Sequence, residues 1–294
     1  MLDGAVFRHD GPFWRGLASY GAAHAPRVLV RYSPPAWAFA FALAMPDARA
    51  RVRKNLRWVL GKRPYQAEIV DVFRTFSHFA SCLTEALAMG GPRAPEVHCV
   101  IRGENHFRAA MEGGRGVILV TAHTGGWETA GPLLKREFQR DVMIVMQREP
   151  DARAREIQDR ARERSGIKVV HVGGEPLAVL PLLSHVRRGG VLGLQIDRAP
   201  DTMRSIPVPL FGTPARVPSG PFVLARAAEV PILPVFTRRL GHFRYEIQLC
   251  APLEIPKTAP DEALARAAER AAVDMESFIR AHPTHWFDFG RELP

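Results

Sequence analysis

An α/β fold is what this chain predicts: a single domain whose mostly parallel central sheet is covered by helices, with a helical layer at the N-terminus. Three observations carry that expectation. Continuous apolar, β-branched runs such as Val117 to Thr121 recur, as strands buried on both faces require. Helical periodicities fall between them, in the βα alternation that builds a parallel sheet. The first ninety or so residues carry helical spacing without strand pattern.

Within that N-terminal layer (1–92) the clearest helix is Ile69 to Met89, with Ile69, Val72, Phe73, Phe76, Phe79, Ala80, Leu83 and Leu87 at helical spacing and a stop at Gly90-Gly91-Pro92. The remainder (93–294) reads as the core of the same unit. Val97 to Arg102 and Gly116 to Thr121 are expected strands, with a short helix from Asn105 to Glu112 between them. Then follow helix Thr129 to Phe138, strand Val142 to Met146, a charged helix Asp151 to Ser165, strand Ile167 to Val172, helix Leu177 to Arg188 and strand Val191 to Ile196. Residues 208–226 are dense in Pro and Gly and read as a loop leading into a helix. Strands Ile232 to Thr237 and Tyr245 to Leu249 and a last helix, Pro260 to Ala281, complete the pattern. No repeat or flexible linker divides the chain.

Of 40 basic residues five are lysine and 35 arginine, and against 30 acidic residues they leave a net charge of +10. Arginine in such excess suits a phosphate-bearing or acidic partner. A nucleic-acid binder is not expected, because no helix-turn-helix or basic-aromatic strand pattern accompanies the charge. Cys82, Cys99 and Cys250 are odd in number and widely spaced, which points to a reducing compartment rather than a disulfide framework. No signal peptide or membrane-spanning helix is expected. The longest apolar run, Ala36 to Met45, is about half a span. Beside the arginines of 49–63 that run fits either a membrane-surface element or a buried helix.

The candidate chemistry lies at His123 and Glu128. A strand ending at Thr121 would deliver the imidazole to the carboxyl edge of the sheet, where α/β ligands gather, and Gly125-Gly126 would let Glu128 fold back to meet it. A neutral imidazole can take a proton from a hydroxyl while a carboxylate on its other nitrogen fixes the tautomer. The bland alternative has His123 satisfied by a carbonyl and Glu128 merely opening a helix. Arg148 follows the next strand, and Arg160 and Arg162 sit on the charged helix, where they could clamp a phosphate or form an ordinary salt-bridged face. Asp197 with Arg198 ends another strand, either lining an acceptor pocket or forming a strand-end ion pair. Phe211, Gly212 and Gly220 could shape a pocket wall. Nucleophile-elbow, Walker and H-E-x-x-H patterns are missing, and the other histidines show no metal-ligand spacing, so neither cofactor nor metal is expected.

Taken in order, these segments resemble the lysophospholipid acyltransferase superfamily, in particular its branch of late lipid A biosynthesis and phosphatidylinositol mannoside acyltransferases. The resemblance rests on Ala122-His-Thr-Gly-Gly-Trp-Glu128 in place of an H-x-G-N-W-[DE] type motif, Arg148, Arg160-Ala-Arg162, Asp197, Phe211-Gly-Thr-Pro-Ala215 with Gly220 and Leu224-Ala225, Pro234 to Arg239, and His282-Pro283. It implies an enzyme that moves a fatty acyl group from acyl-carrier protein or acyl-CoA to a hydroxyl of a lipid or glycolipid, with His123 as general base and Glu128 as its orienter. It implies peripheral contact with anionic lipid on the cytoplasmic face of the inner membrane. The chain departs from the pattern at Gly126, where Asn is common, at Arg198 in place of Gln, in its Phe289-Gly-Arg-Glu292 end, and in lacking the family's N-terminal transmembrane helix. Those departures leave room for a small natural-product alcohol or amine as acceptor.

Overall fold

Four helices open the fold: α1 (Arg27–Tyr32), α2 (Pro34–Ala44), α3 (Pro46–Leu60) and α4 (Tyr65–Met89). This is a computed structural model, and it describes residues 20–22, 24–89, 95–147, 156, 159, 163, 166–172, 179–199 and 203–289. In α2 the buried residues are small. Ala38 and Ala42, one turn apart, are buried against α4, while Trp37, Phe39, Phe41 and Leu43 are turned outward with 41 to 62% of their surface exposed. Alanines allow the two helices a close approach, and Phe39 beside them stacks on Phe73 of α4 at 5.1 Å.

The strand and helix order that follows is β1 (His98–Arg102), α5 (Glu104–Ala110), β2 (Val117–Thr121), α6 (Trp127–Phe138), β3 (Val142–Gln147), β4 (Lys168–Val172), α7 (Val179–Arg187), β5 (Val191–Gln195), β6 (Ser205–Leu210), β7 (Thr213–Pro218), α8 (Gly220–Ala228), β8 (Ile232–Gly241), β9 (Arg244–Leu249) and α9 (Asp261–Ala281). Seven strands form one sheet in the order β1-β9-β8-β2-β5-β3-β4. From β8 to β4 all neighbours are parallel, while β9 runs antiparallel to β8 and carries β1 parallel to itself at the edge. The expected charged helix at 151–165 lies largely outside the described residues.

One expectation is corrected at 205–218. The Pro/Gly-dense stretch is not a loop but an antiparallel ribbon, β6–β7, closed by Phe211 and Gly212 at φ 51° and 79°. Its prolines are tolerated because a two-stranded ribbon is all edge, so a missing N–H can face outward.

Register divides the core. Ile118 and Val120 of β2 pack toward the face covered by α7, α8 and α9, whereas Val117 and Leu119 pack toward the face covered by α5 and α6. The period-2 alternation therefore sends odd-numbered positions of β2 to the α6 side. Gly193 and Gln195 of β5 share that face with Leu119 and Thr121, their neighbours in the ladder.

Candidate active site

β2 ends at Thr121, and the chain turns sharply, the Thr124 amide donating to the Ala122 carbonyl at 2.7 Å. Two remote segments hold this turn. Thr237 at the end of the buried part of β8 donates its amide to Thr124 Oγ1 at 3.2 Å, and the Phe287 amide donates to the His123 carbonyl at 2.8 Å. His123 is thereby fixed at the carboxyl edge, its side chain 25% exposed.

The carboxylate on the imidazole is that of Asp197, two residues beyond β5. Its Oδ1 lies 2.9 Å from His123 Nδ1, and its Oδ2 accepts from the His123 amide at 3.1 Å and from the Trp286 indole at 3.0 Å. Burial of this side chain opposes ionisation, yet His123, Arg198 and the Trp286 N–H together hold the carboxyl below the ordinary range. An ionised Asp197 requires the proton of a neutral imidazole on Nδ1, which leaves a lone pair on Nε2. Arg198 faces away from this pair, bonding the Phe287 carbonyl at 2.7 Å and Asp288 at 3.1 Å.

The position on His123 Nδ1 expected of Glu128 is held by Asp197. Gly126 caps α6 at φ 91°, so the helix begins at Trp127 and successive side chains diverge by about 100° around its axis. Trp127 is the residue set edge-on to His123, ring centroids 6.1 Å apart, which directs Glu128 elsewhere, and the Glu128 charge is felt at buried Cys82 of α4. The carboxylate hydrogen-bonded to the imidazole comes from a strand end distant in sequence rather than from the same loop.

The two glycines are required by what lies behind them. A Cβ on Gly126 would stand 2.3 Å from the Tyr245 ring, and one on Gly125 2.6 Å from His285. Neither neighbour can yield. Tyr245 is buried and hydrogen-bonds Glu85, which also receives Arg239 Nε and Nη2 at 2.8 and 2.7 Å. His285 stacks on His78 at 4.0 Å and approaches the Arg239 carbonyl at 3.1 Å, and burial, with the neighbouring His78, lowers its pKa to about 3.

Arg148, Arg160 and Arg162 lie outside the described residues. Phe211 is brought to the site indirectly. Its ring packs on Trp286 at 5.8 Å and on Trp58 at 4.8 Å, so it buttresses the indole that holds Asp197. Gly212 completes the ribbon turn, and Gly220 opens α8 with open space where a Cβ would be. Sequence reasoning missed Trp286, Thr124 and the Glu85–Arg239–Tyr245 group; a Trp next to His285 carried no periodic signal that could have marked it.

A family model described as bacterial lipid A biosynthesis acyltransferase matches residues 18–293. The chain belongs to that family. It is 28% identical over 246 residues to a phosphatidylinositol mannoside acyltransferase of Mycobacterium tuberculosis, covering 80% of this chain and 74% of the relative. A protein of the same name from Mycolicibacterium smegmatis is 29% identical over 192 residues, 63% and 61% of the two chains. Among solved structures, the 1-acyl-sn-glycerophosphate acyltransferase PlsC of Thermotoga maritima aligns over 92% of this chain and 99% of its own, with a TM-score of 0.40 and 13% identity.

In this acyltransferase a narrow apolar cleft of about 50 Å³ is lined in part by Trp127, the ring set edge-on to His123. Thr121 and Trp127 flank its start, and it runs between Ala130, Gly131 and Leu134 of α6 and Ile144, Gly193 and Val235 of the sheet. Gly193 leaves the sheet surface bare there, since a Cβ would meet only Ile144 Cγ1 at 3.8 Å and the Met143 carbonyl at 3.9 Å.

Proposed function

We propose that this acyltransferase carries a fatty acyl group from an acyl thioester, on acyl-carrier protein or CoA, to a hydroxyl of a lipid or glycolipid, with His123 as general base and Asp197 as the residue that orients it. The observation that carries this reading is an imidazole whose Nδ1 lies 2.9 Å from a buried carboxylate held below its ordinary range, set edge-on to Trp127, which lines an apolar cleft. Nε2 takes the acceptor's hydroxyl proton as its oxygen attacks the thioester carbonyl; the tetrahedral intermediate collapses with loss of thiolate, which receives the proton from the imidazolium. Asp197 stabilises the imidazolium between these steps. The amides of Gly125 and Gly126, with no hydrogen bond among the described residues, stand beside the imidazole and are the proposed donors to the oxyanion. The acyl chain lies in the cleft between α6 and the sheet.

The acceptor class is supported by the relatives, which are named for a mannosylated phosphatidylinositol, and by α2. Exposed Trp37, Phe39, Phe41 and Leu43 directly precede α3, which carries Arg49, Arg51, Arg53, Lys54 and Arg57 against Asp47, with Arg53 and Arg57 paired to Glu68 of α4. Rings with neighbouring cations suit insertion into an anionic headgroup layer. Among the described residues no helix is long and apolar enough to cross a membrane. The proposed location is thus peripheral, on the cytoplasmic face of the inner membrane, and this face favours a lipid acceptor over a small alcohol.

Mass spectrometry of products from acyl-carrier protein and CoA thioesters, offered with lysolipids, glycolipids and small alcohols, tests the reading. Acylated product from wild type and none from folded His123→Ala is expected. Equal product from both proteins would refute the assignment of the base.

A further inference from the structure

A second cavity, of about 680 Å³, lies apart from the acyl cleft on the α8–α9 side of the sheet. One end of it touches Ala199, two residues past Asp197. α8 leads directly into β8, and Ser219 before it lines the cavity.

Its lining is strongly cationic. Arg204, Arg216 and Arg226 contribute guanidiniums, and Asp261 is the single carboxylate among the described lining residues. Asp261 is already engaged by Arg226 at 2.8 Å. Each arginine is anchored so as to leave donors over. Arg216 Nε bonds Ser205 Oγ at 2.7 Å and its Nη2 the Ser205 carbonyl at 3.2 Å. Arg226 uses Nη1 for the Ala259 carbonyl and Asp261. The main chain of Arg204 is fixed by Ser219, whose amide and hydroxyl both donate to its carbonyl at 3.0 Å, while its guanidinium has no acceptor among the described residues. Three cations around one cavity repel one another unless an anion joins them, and two of the three are held in place before any ligand arrives. Val223 and Leu264 give the same cavity an apolar wall, and its volume exceeds that of a bare ion.

We propose that this cavity binds a phosphate ester, its oxygens received by Arg204, Arg216 and Arg226 and its organic part laid against Val223 and Leu264. A phosphate offers several anionic oxygens in different directions, which three separate guanidiniums can each meet. Two substrates of the reaction in the preceding section could bring such a group: the phosphopantetheine arm of the thioester donor, or the phosphodiester of a glycerophospholipid acceptor. Assigning the phosphate to either rests on the acyl-transfer reading; binding of phosphate does not.

The test measures binding of inorganic phosphate, phosphopantetheine and glycerophosphoinositol by titration calorimetry at low salt, for wild type, Arg204→Gln, Arg216→Gln and their double variant. Arg244→Gln, the same charge change on exposed β9, is the control. The expected result is a loss of phosphate affinity of about 10-fold per variant and none in the control, with KM raised for the thioester if the donor is held there or for the acceptor if its headgroup is. Phosphate affinity equal in the double variant and wild type would overturn the proposal, and lost binding with both KM values unmoved would overturn its assignment to either substrate. If wild type transfers no acyl group to any acceptor, the catalytic reading fails while the calorimetry still decides this one.

Discussion

Replacing Asp197 by asparagine isolates what the carboxylate does, because the amide has the same shape. Its orientation is dictated by the site. The Oδ2 position faces two donors, the His123 amide at 3.1 Å and the Trp286 indole at 3.0 Å, so the asparagine oxygen must take that place. The NH2 group then faces His123 Nδ1, donates to it, and forces the ring proton onto Nε2, where the base is needed. Restoring the productive tautomer means turning the amide over and leaving two buried donors unsatisfied, at about 2 kcal/mol each. The total, about 4 kcal/mol, corresponds to roughly a 1,000-fold loss. Steady-state kinetics on Asp197→Asn should show that loss in kcat, with KM for the thioester nearly unchanged and the denaturation midpoint little moved. Activity above a tenth of wild type would refute the tautomer argument. Glu128→Gln supplies the comparison, and a loss as large as that of Asp197→Asn would return Glu128 to the dyad.

Gly126→Ala adds a Cβ 2.3 Å from an immobile Tyr245 ring at φ 91°, and should cost about 3 kcal/mol in urea unfolding, combining backbone strain with overpacking; a loss below 1 kcal/mol would mean Tyr245 moves freely. Gly193→Leu fits without a clash at its Cβ and fills the cleft, so competition between long and short acyl thioesters should shift at least 10-fold toward short chains with folding intact, whereas an unchanged preference would place the chain elsewhere. Trp37→Ala with Phe41→Ala removes two exposed rings, and flotation with anionic vesicles should weaken roughly 30-fold, about 2 kcal/mol of lost apolar burial. Buried His285, with its pKa depressed to about 3, cannot take up the proton that the unfolded chain binds near 6.5. Stability is therefore full above that value and falls with pH between it and about 3, by about 2 kcal/mol from pH 7 to pH 5. Chemical denaturation across that range should show the slope reduced by about one proton in His285→Gln, and an identical slope would contradict a buried neutral ring.

The parallel strands were legible because burial on both faces leaves continuous apolar runs, and Val117 to Thr121 could hardly be anything else. His123 was legible for the same reason, as a polar residue at the end of such a run. Its partner was not. Two strands separated by 70 residues in sequence become neighbours only through β2–β5 pairing, and that pairing sets Thr121 opposite Gln195 and brings Asp197 beside His123. Local spacing ranks the nearer carboxylate first, and Glu128 was chosen on that ground. The ribbon at 205–218 was hidden because proline and glycine signal turns wherever they occur, and only the pairing of Ile206 with Val217 and Val208 with Ala215 reveals the strands.

The last residues of the fold complete the site as much as the motif itself. Beyond α9, the 3-10 turn Pro283–His285 presses His285 against Gly125; Trp286 then ties down Asp197, and Phe287 ties down the His123 carbonyl. Phe289 reaches the N-terminal layer, packing on Phe76 and Phe79 and accepting from Arg51. Asn55 of α3 also donates to the Asp288 carbonyl at 3.0 Å. A displacement of α3 or α4 is thus transmitted through 286–289 to both members of the His123–Asp197 pair. Since α2 packs on α4 and carries the exposed rings, the proposed membrane contact and the proposed base are joined by one continuous set of packed contacts. That connection accounts physically for a helical layer that contributes no side chain to the His123–Asp197 pair yet is built into its support.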